Sequence, residues 1–361
     1  MTRDFSQFFS SAATPDSARR DRPLIEKLGW QPFFAQQTNA DALTQTPPVR
    51  VVEVHRNGLH VIGDGIDALV PPRLEATVGD WLLFDRENPA DSELLHRKSL
   101  FKRRAPGKER HLQLIAANID TAFIVTSCND DFNVARLERY LALSFEAEVE
   151  PVILLTKTDL CSDIAPFTET AGAISDRVVV VELNALSAEP AARLAPWCRP
   201  GQTVAFLGSS GVGKSTLVNA LFGEEAVETS GIREDDSKGR HTTTRRQLHL
   251  VPQGCTVLDT PGMRELQLAD ALDGIADLFD DLANLATRCR FNDCQHETEP
   301  GCAIRAGLES GEVDPARLSR WQKLAAEERF NSASLAERRA NDKAFGKMVR
   351  SVMEAKKKRK R

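Results

Sequence analysis

The chain has 361 residues, 41% hydrophobic and 27% charged, which is enough for a large core and for two or three domains. The net charge is −5 (47 Lys and Arg, 52 Asp and Glu), and no run nears the roughly 18 apolar residues of a membrane span, so a soluble, cytoplasmic chain without membrane partners is expected. Charges of both signs fill the N-terminal stretch, and seven cysteines make an odd count, so neither a secretory leader nor a disulfide framework is expected.

Residues 1–46 are rich in Ser, Thr, Asp and Gln and read as a flexible extension, with a short helix expected at Pro23–Leu28. From Val49 to about Lys102, strand-like runs at Val51–Val54, Leu59–Ile62, Ala68–Val70 and Trp81–Phe84 are separated by the turn formers Asn57-Gly58, Gly63-Asp64-Gly65 and Gly79-Asp80. Short strands packed so densely gain by closing on themselves. Residues 47–110 are therefore expected to form an oligonucleotide-binding (OB) type β-barrel, with an SH3-like barrel as the alternative.

From Ile119 onward, apolar runs at Ala122–Val125, Val152–Leu155, Val178–Val181, Thr203–Leu207 and Cys255–Leu258 alternate with helix-compatible stretches at Val134–Ser144, Pro190–Leu194 and Ser215–Phe222. That rhythm predicts a largely parallel sheet with helices on both faces across residues 111–280. Residues 281–350 read as mainly helical, over Pro315–Phe330 and Ser334–Met353, and 351–361 as a basic disordered tail. Charge is uneven: Ala336–Arg361 holds eleven Lys or Arg against three Asp or Glu, and Arg97–Arg110 holds seven against one. Arg97, Lys98, Lys102, Arg103, Arg104, Lys108 and Arg110, with Lys343, Lys347 and Arg350, are candidates to neutralise RNA phosphates.

The strongest local signal is Gly208-Ser209-Ser210-Gly211-Val212-Gly213-Lys214-Ser215, followed by Thr216, placed after an apolar strand and before a helix. Its glycines let backbone N–H groups wrap a phosphate chain, to which the helix N-terminus adds its positive end. Lys214 is suited to the β- and γ-phosphates and Ser215 to Mg²⁺. Asp259 and Gly262, in Asp259-Thr260-Pro261-Gly262, supply a metal-side carboxylate and an unobstructed N–H toward the γ-phosphate. Between them, Gly239-Arg240-His241-Thr242-Thr243-Thr244 offers hydroxyls to complete the Mg²⁺ shell, with Thr243 the candidate.

Thr156-Lys157-Thr158-Asp159 follows another strand. The Asp159 carboxylate is able to accept from both guanine N1 and its exocyclic amine, whereas adenine N1 offers only a lone pair. The Lys157 stem is suited to covering the base plane. Asn184-Ala185-Leu186 follows the next strand and offers backbone N–H groups to guanine O6. Downstream, Cys289, Cys294, His296 and Cys302 provide three thiolates and an imidazole for one tetrahedral Zn²⁺ with no open position. Few aliphatic residues lie between them, so the segment needs its metal in order to fold.

Residues 156–159 resemble the N-K-x-D guanine motif and residues 184–186 the S-A-[KL] motif, yet both precede the phosphate loop, reversing the common order. With the preceding barrel, Gly79-Asp80-Trp81, Asn118-Ile119-Asp120, Gly239–Thr243 and the Cys/His cluster, this arrangement resembles the RsgA family of circularly permuted GTPases. The resemblance implies an OB barrel, a permuted P-loop GTPase domain and a helical zinc domain. It also implies GTP hydrolysis with Mg²⁺, and a role on the immature 30S subunit through 16S rRNA, alongside other small-subunit assembly factors, as a monomer. Thr156 departs from the usual Asn, whose amide makes a two-ended contact that a hydroxyl cannot reproduce, and Asn184 stands where Ser is usual. Met263 occupies the place of a water-orienting Gln, and a thioether cannot orient water, so slow intrinsic turnover is expected, with His241 the candidate to assist once a partner orders its segment. The competing functions are a kinase or transport ATPase, against which Asp159 argues, and an RNA-binding scaffold whose nucleotide site is only a switch.

Overall fold

The computed structural model describes residues 22–72, 75–104, 112–223, 246–252, 254–259 and 270–332. The N-terminal region contributes β1 (Pro48–His55), β2 (Gly58–Gly63), β3 (Ile66–Val70), β4 (Trp81–Leu83), β5 (Glu93–Leu94), β6 (Leu100–Arg104) and β7 (Leu112–Ala117). β1 pairs antiparallel with β2 from Val49↔Gly63 to His55↔Gly58, through a bulge between Val51 and Glu53, and with β4 through Pro48–Arg50. The bulge adds twist and bends the strand, as coiling a small sheet requires. Val49, Val51, Leu59, Val61, Val70 and Leu82 share one interior. Asp64-Gly65 turns β2 into β3, with Gly65 at φ +67°, where a Cβ is unfavourable. This is the OB-type unit that the strand density predicts.

Two expectations change. The extension is not flexible through residue 46, because helices Leu24–Lys27, Pro32–Ala35 and Ala40–Gln45 pack on the barrel. The Trp30 and Trp81 rings meet edge-on at 5.0 Å, and Phe34 is enclosed beside Trp81, Leu83 and Leu95. Aromatic burial on this scale outweighs the polar composition of the segment. In addition, β6 and β7 pair from Leu100↔Ala117 to Arg104↔Leu112, so the expected boundary between residues 110 and 111 cuts through one antiparallel pair.

The second unit adds β8 (Thr121–Ser127), β9 (Glu150–Thr156), β10 (Val179–Glu182), β11 (Thr203–Leu207), β12 (Gln247–Leu250) and β13 (Thr256–Asp259). Their order is β10-β9-β8-β11-β13-β12, parallel except for β12–β13, and β12 meets β1 at Glu53↔Gln247. All seven β8 residues are buried, as a strand covered on both faces requires. Phe123, Val125, Val152, Leu154, Val204 and Phe206 face helices Pro190–Leu194 and Lys214–Phe222. The alternate residues Ile124, Ile153, Leu155, Ala205 and Leu207 face helix Val134–Glu146 and the C-terminal helices. Asn133 caps helix Val134–Glu146 by accepting from Arg136 N at 3.0 Å.

Helices Leu272–Leu278, Asp280–Ala286, Ala303–Ser310 and Pro315–Ser332 follow. Leu278, Phe279, Leu282, Ile304, Leu318 and Leu324 join the same core as Leu137, Leu141 and Ile153, so apolar packing runs across the expected boundary between residues 280 and 281. Arg320 Nε donates to both oxygens of the fully enclosed Glu138, at 2.8 and 2.9 Å, and reinforces that junction. At the opposite junction the guanidinium of Arg50, itself 1% exposed, donates to Leu28 O, Gly79 O, Asn118 O and Thr203 Oγ1. Burial lowers its pKa to about 10 against the raising influence of Asp120 and Asp80. One buried cation thereby ties the N-terminal helices, the barrel and the first residue of β11, and its donors satisfy three carbonyls that burial would otherwise leave unpaired.

Candidate functional site

Five parallel strands, β10, β9, β8, β11 and β13, end on one edge, and the described residues of the phosphate and base motifs follow the ends of β11, β9 and β10, with Asp259 at the end of β13. In open α/β sheets that edge is where ligands bind. After β11 the chain turns through Gly208, Gly211 and Gly213, with φ of +138°, +76° and +99°. A Cβ on Gly208 would lie 2.3 Å from Val125 O, so only glycine lets the loop pass β8 so closely. Helix Lys214–Phe222 starts at Gly213 and points its N-terminus into the loop. Lys214 Nζ donates to Gly208 O at 2.8 Å and to Ser209 O, which holds the amine over the loop's entrance. Ser215 lies exposed in the first turn, where a hydroxyl is available to a metal.

The base motifs come from β9 and β10, paired in register from Val179↔Val152 to Glu182↔Leu155. Thr156 is fully buried, and its hydroxyl lies 2.7 Å from Val212 O in the phosphate loop and 3.1 Å from Thr126 O. A single O–H has one hydrogen, so it serves one carbonyl at a time, the shorter contact being to the loop. The tie from base motif to phosphate loop thus persists without the amide. Lys157 adopts the left-handed conformation (φ +57°), rare for a side-chain-bearing residue, and leads into the Thr158–Leu160 turn that leaves Asp159 exposed. Asn184 Oδ1 accepts from Leu186 N at 2.9 Å and shapes the second base loop. A Cβ on Gly213 would lie 3.6 Å from Ala185 Cβ and 3.9 Å from Thr156 Oγ1, so the phosphate loop and both base motifs share one wall. Asp259 closes β13 on the same edge, whereas His241, Thr243, Gly262 and Met263 lie outside the described residues.

Cys289, Cys294, His296 and Cys302 converge, their ligand atoms all within 4.8 Å of one another. Cys289 Sγ lies 3.9 Å from Cys302 Sγ, and His296 Nδ1 lies 3.6 and 3.4 Å from those two sulfurs. A tetrahedral zinc with Zn–S of about 2.3 Å and Zn–N of about 2.0 Å has edges of about 3.8 and 3.5 Å. The donor set fits that ion, with Nδ1 as the histidine donor. His296 reaches its place through a positive φ of +62°, and the Trp321 ring packs 5.6 Å away. Glu299 is no ligand. Its carboxylate accepts from Gln295 N, Glu297 N and Thr298 N at 2.8 to 3.0 Å, and the N–H groups of Gln295, Glu299 itself, Glu297 and Thr298 hold its pKa down at about 2.

Within the basic cluster at the barrel exit, the described cations have partners in the fold. Arg97 pairs with the buried Asp80 at 2.7 Å, Lys98 with Asp120 at 2.7 Å, Lys102 with Glu146 at 3.7 Å and Arg104 with Asp270 at 2.9 Å, while Arg103 donates to Gln113. Glu146 lies on helix Val134–Glu146, and Asp120 and Asp270 lie in loops outside the barrel strands, so the described cations are paired along a seam. Linear charge counting missed the pairing because the partners are distant in sequence. Lys108, Arg110, Lys343, Lys347 and Arg350 lie outside the described residues.

Sequence reading also passed over Arg136. It sits in the first turn of helix Val134–Glu146, donates to Ser209 Oγ of the phosphate loop and pairs with Asp131 at 3.0 Å. The signal was there: a cation in a helix's first turn opposes the macrodipole and needs a reason.

A family profile described as RsgA GTPase matches residues 94–269. The small ribosomal subunit biogenesis GTPase RsgA 2 of Vibrio parahaemolyticus serotype O3:K6 is 50% identical over 338 residues, covering 93% of this chain and 94% of that protein. Among solved structures, YjeQ from Thermotoga maritima superposes with a TM-score of 0.56 at 25% identity, over 77% of this chain and 96% of that one. YloQ, described as a circularly permuted GTPase, superposes with a TM-score of 0.53 at 23% identity, over 80% of this chain and 96% of that one, a likeness of fold.

Proposed function

This chain belongs to the RsgA GTPase family, and from that premise we propose that it is a GTP hydrolase that binds the 30S ribosomal subunit through 16S rRNA, assists late maturation of that subunit and is stimulated by it. The observation that carries the reading is the convergence of phosphate loop, base motifs and β13 on one sheet edge, with Thr156 and Gly213 joining the phosphate loop to the base motifs. In this reading Gly208–Thr216 cradle the phosphates and Lys214 neutralises charge that develops on the β- and γ-oxygens. Asp159 selects guanine, with Thr156, Lys157, Thr158, Asn184 and Ala185 shaping the base pocket. Ser215, Thr243 and Asp259 would hold Mg²⁺, which would neutralise phosphate charge, and Gly262 would offer its N–H to the γ-phosphate. Cys289, Cys294, His296 and Cys302 would hold a structural zinc that organises the C-terminal helices.

Among the described residues no helix is long and apolar enough to cross a membrane. A cytoplasmic monomer working alongside other small-subunit assembly factors fits the proposed role. Met263 leaves the attacking water without a side chain to orient it, so docking on the subunit is assigned the task of bringing His241 to the γ-phosphate. The test is single-turnover GTP hydrolysis with saturating 30S subunits, 50S subunits or free rRNA. Selective stimulation by 30S, lost by about 10²- to 10⁴-fold in His241→Ala with binding retained, is expected. Full stimulation in that variant would reduce His241 to a contact residue, and absence of any 30S effect would leave the nucleotide site as a switch on an RNA-binding scaffold.

A further inference from the structure

Two cations meet at one residue of the phosphate loop. Lys214 Nζ donates to the carbonyl of Ser209, and Arg136 Nη1 donates to its hydroxyl. Lys214 is the loop's own lysine, placed by the motif's mechanics to reach the β- and γ-phosphates. Arg136 comes from a different strand end, by way of the turn after β8, and its guanidinium arrives within one residue of that amine.

We propose that Arg136 is a specificity-determining residue of the nucleotide site, whose guanidinium passes from Ser209 and Asp131 to the terminal phosphate and so favours a nucleoside triphosphate over a diphosphate. The inference rests on the nucleotide reading above. Three features support it. Arg136 occupies the first turn of helix Val134–Glu146, where the helix itself disfavours a positive charge, so its partners and not the helix hold the guanidinium beside the loop. Its carboxylate partner Asp131 is 42% exposed and Arg136 itself 39%, so that pair is weak enough to exchange. Its other contact is a neutral hydroxyl, which binds a guanidinium less well than a phosphate oxygen does in fork geometry.

The same helix also joins the C-terminal region: Glu138 pairs with Arg320, and Arg139 with Glu327, both on helix Pro315–Ser332.

The experiment is titration of the full chain, with Mg²⁺, by a fluorescent non-hydrolysable GTP analogue and by fluorescent GDP, for wild type, Arg136→Gln, Arg136→Lys and Asp131→Asn. Arg136→Gln should weaken the triphosphate analogue by about fivefold or more while shifting GDP less than about twofold, and Arg136→Lys should recover part of the loss. Asp131→Asn frees the guanidinium and should tighten the triphosphate selectively, an effect that added salt diminishes. Equal shifts for both nucleotides in Arg136→Gln, or no shift, would overturn the inference and make Arg136 a structural brace of the loop. Should Arg136→Gln fail to fold, Asp131→Asn decides: selective tightening supports the inference, and an unchanged preference overturns it. Wild-type protein that binds neither probe would instead overturn the nucleotide reading itself, and this inference with it.

Discussion

Thr156→Val tests the tie between base motif and phosphate loop with almost no change of shape. Valine replaces the hydroxyl by a methyl group in a site that is already fully enclosed, so neither a cavity nor a clash is created. What disappears is the O–H donated over 2.7 Å to Val212 O. A buried carbonyl that loses its donor costs about 1–3 kcal/mol, because water cannot reach it to compensate. Placing the cost at about 2 kcal/mol, thermal unfolding should come roughly 4–8 °C earlier if the loop melts with its domain. If the loop instead opens locally, melting changes little and the cost falls on GTP binding, which should weaken by about 10- to 30-fold. Calorimetric melting together with nucleotide titration separates the two, and Thr156→Asn, which restores amide donors, should bind GTP no more weakly than wild type. Melting within about 1 °C of wild type combined with GTP affinity within about twofold would refute the reasoning, since the hydroxyl would then join nothing that matters.

Asp159→Asn should weaken GTP by about 1.5–3 kcal/mol and let xanthosine triphosphate gain ground, measured by competition; equal binding of GTP and ATP by the unchanged protein would remove the basis for guanine selection. Elemental analysis should find one zinc per chain, lost in Cys294→Ala and in His296→Ala but retained in Cys128→Ala, whose thiol is buried elsewhere in the core. Burial pushes the Asp281 carboxyl up, but the hydrogen bonds and charge of Arg317 outweigh it and hold its pKa below the usual carboxylate value. A lowered acid contributes stability above its unfolded pKa and loses it as pH falls through the folded value. Asp281→Asn should therefore cost about 0.2–1 kcal/mol in urea unfolding at pH 7, with the gap to wild type closing as the pH falls below the ordinary carboxylate range.

Much of this protein is written locally. Gly208–Ser215 is readable because a loop that wraps phosphate needs glycine at fixed offsets between a strand and a helix, all within a dozen residues. The four residues that could hold a metal ion span Cys289–Cys302, close enough in sequence to be read as one cluster. The buried strands are equally plain: Thr121–Ser127 is an apolar run because both of its faces are covered. Reversed motif order could be read without coordinates, since each motif marks its own strand end. Sequence could not show that Thr156 keeps its hold on Val212, 56 residues away, because a hydroxyl's partner depends on which loop the fold brings above it. Nor could it show that Lys98 meets Asp120, Lys102 meets Glu146 and Arg104 meets Asp270, so that this basic run also pairs with carboxylates from other parts of the chain. Arg136 is the sharpest instance, for its partner Ser209 lies 73 residues on. Backbone geometry and periodic burial act over a few residues and leave a pattern in the text. The pairing of charges and hydroxyls acts through space, so the packed sheet and its flanking helices decide it.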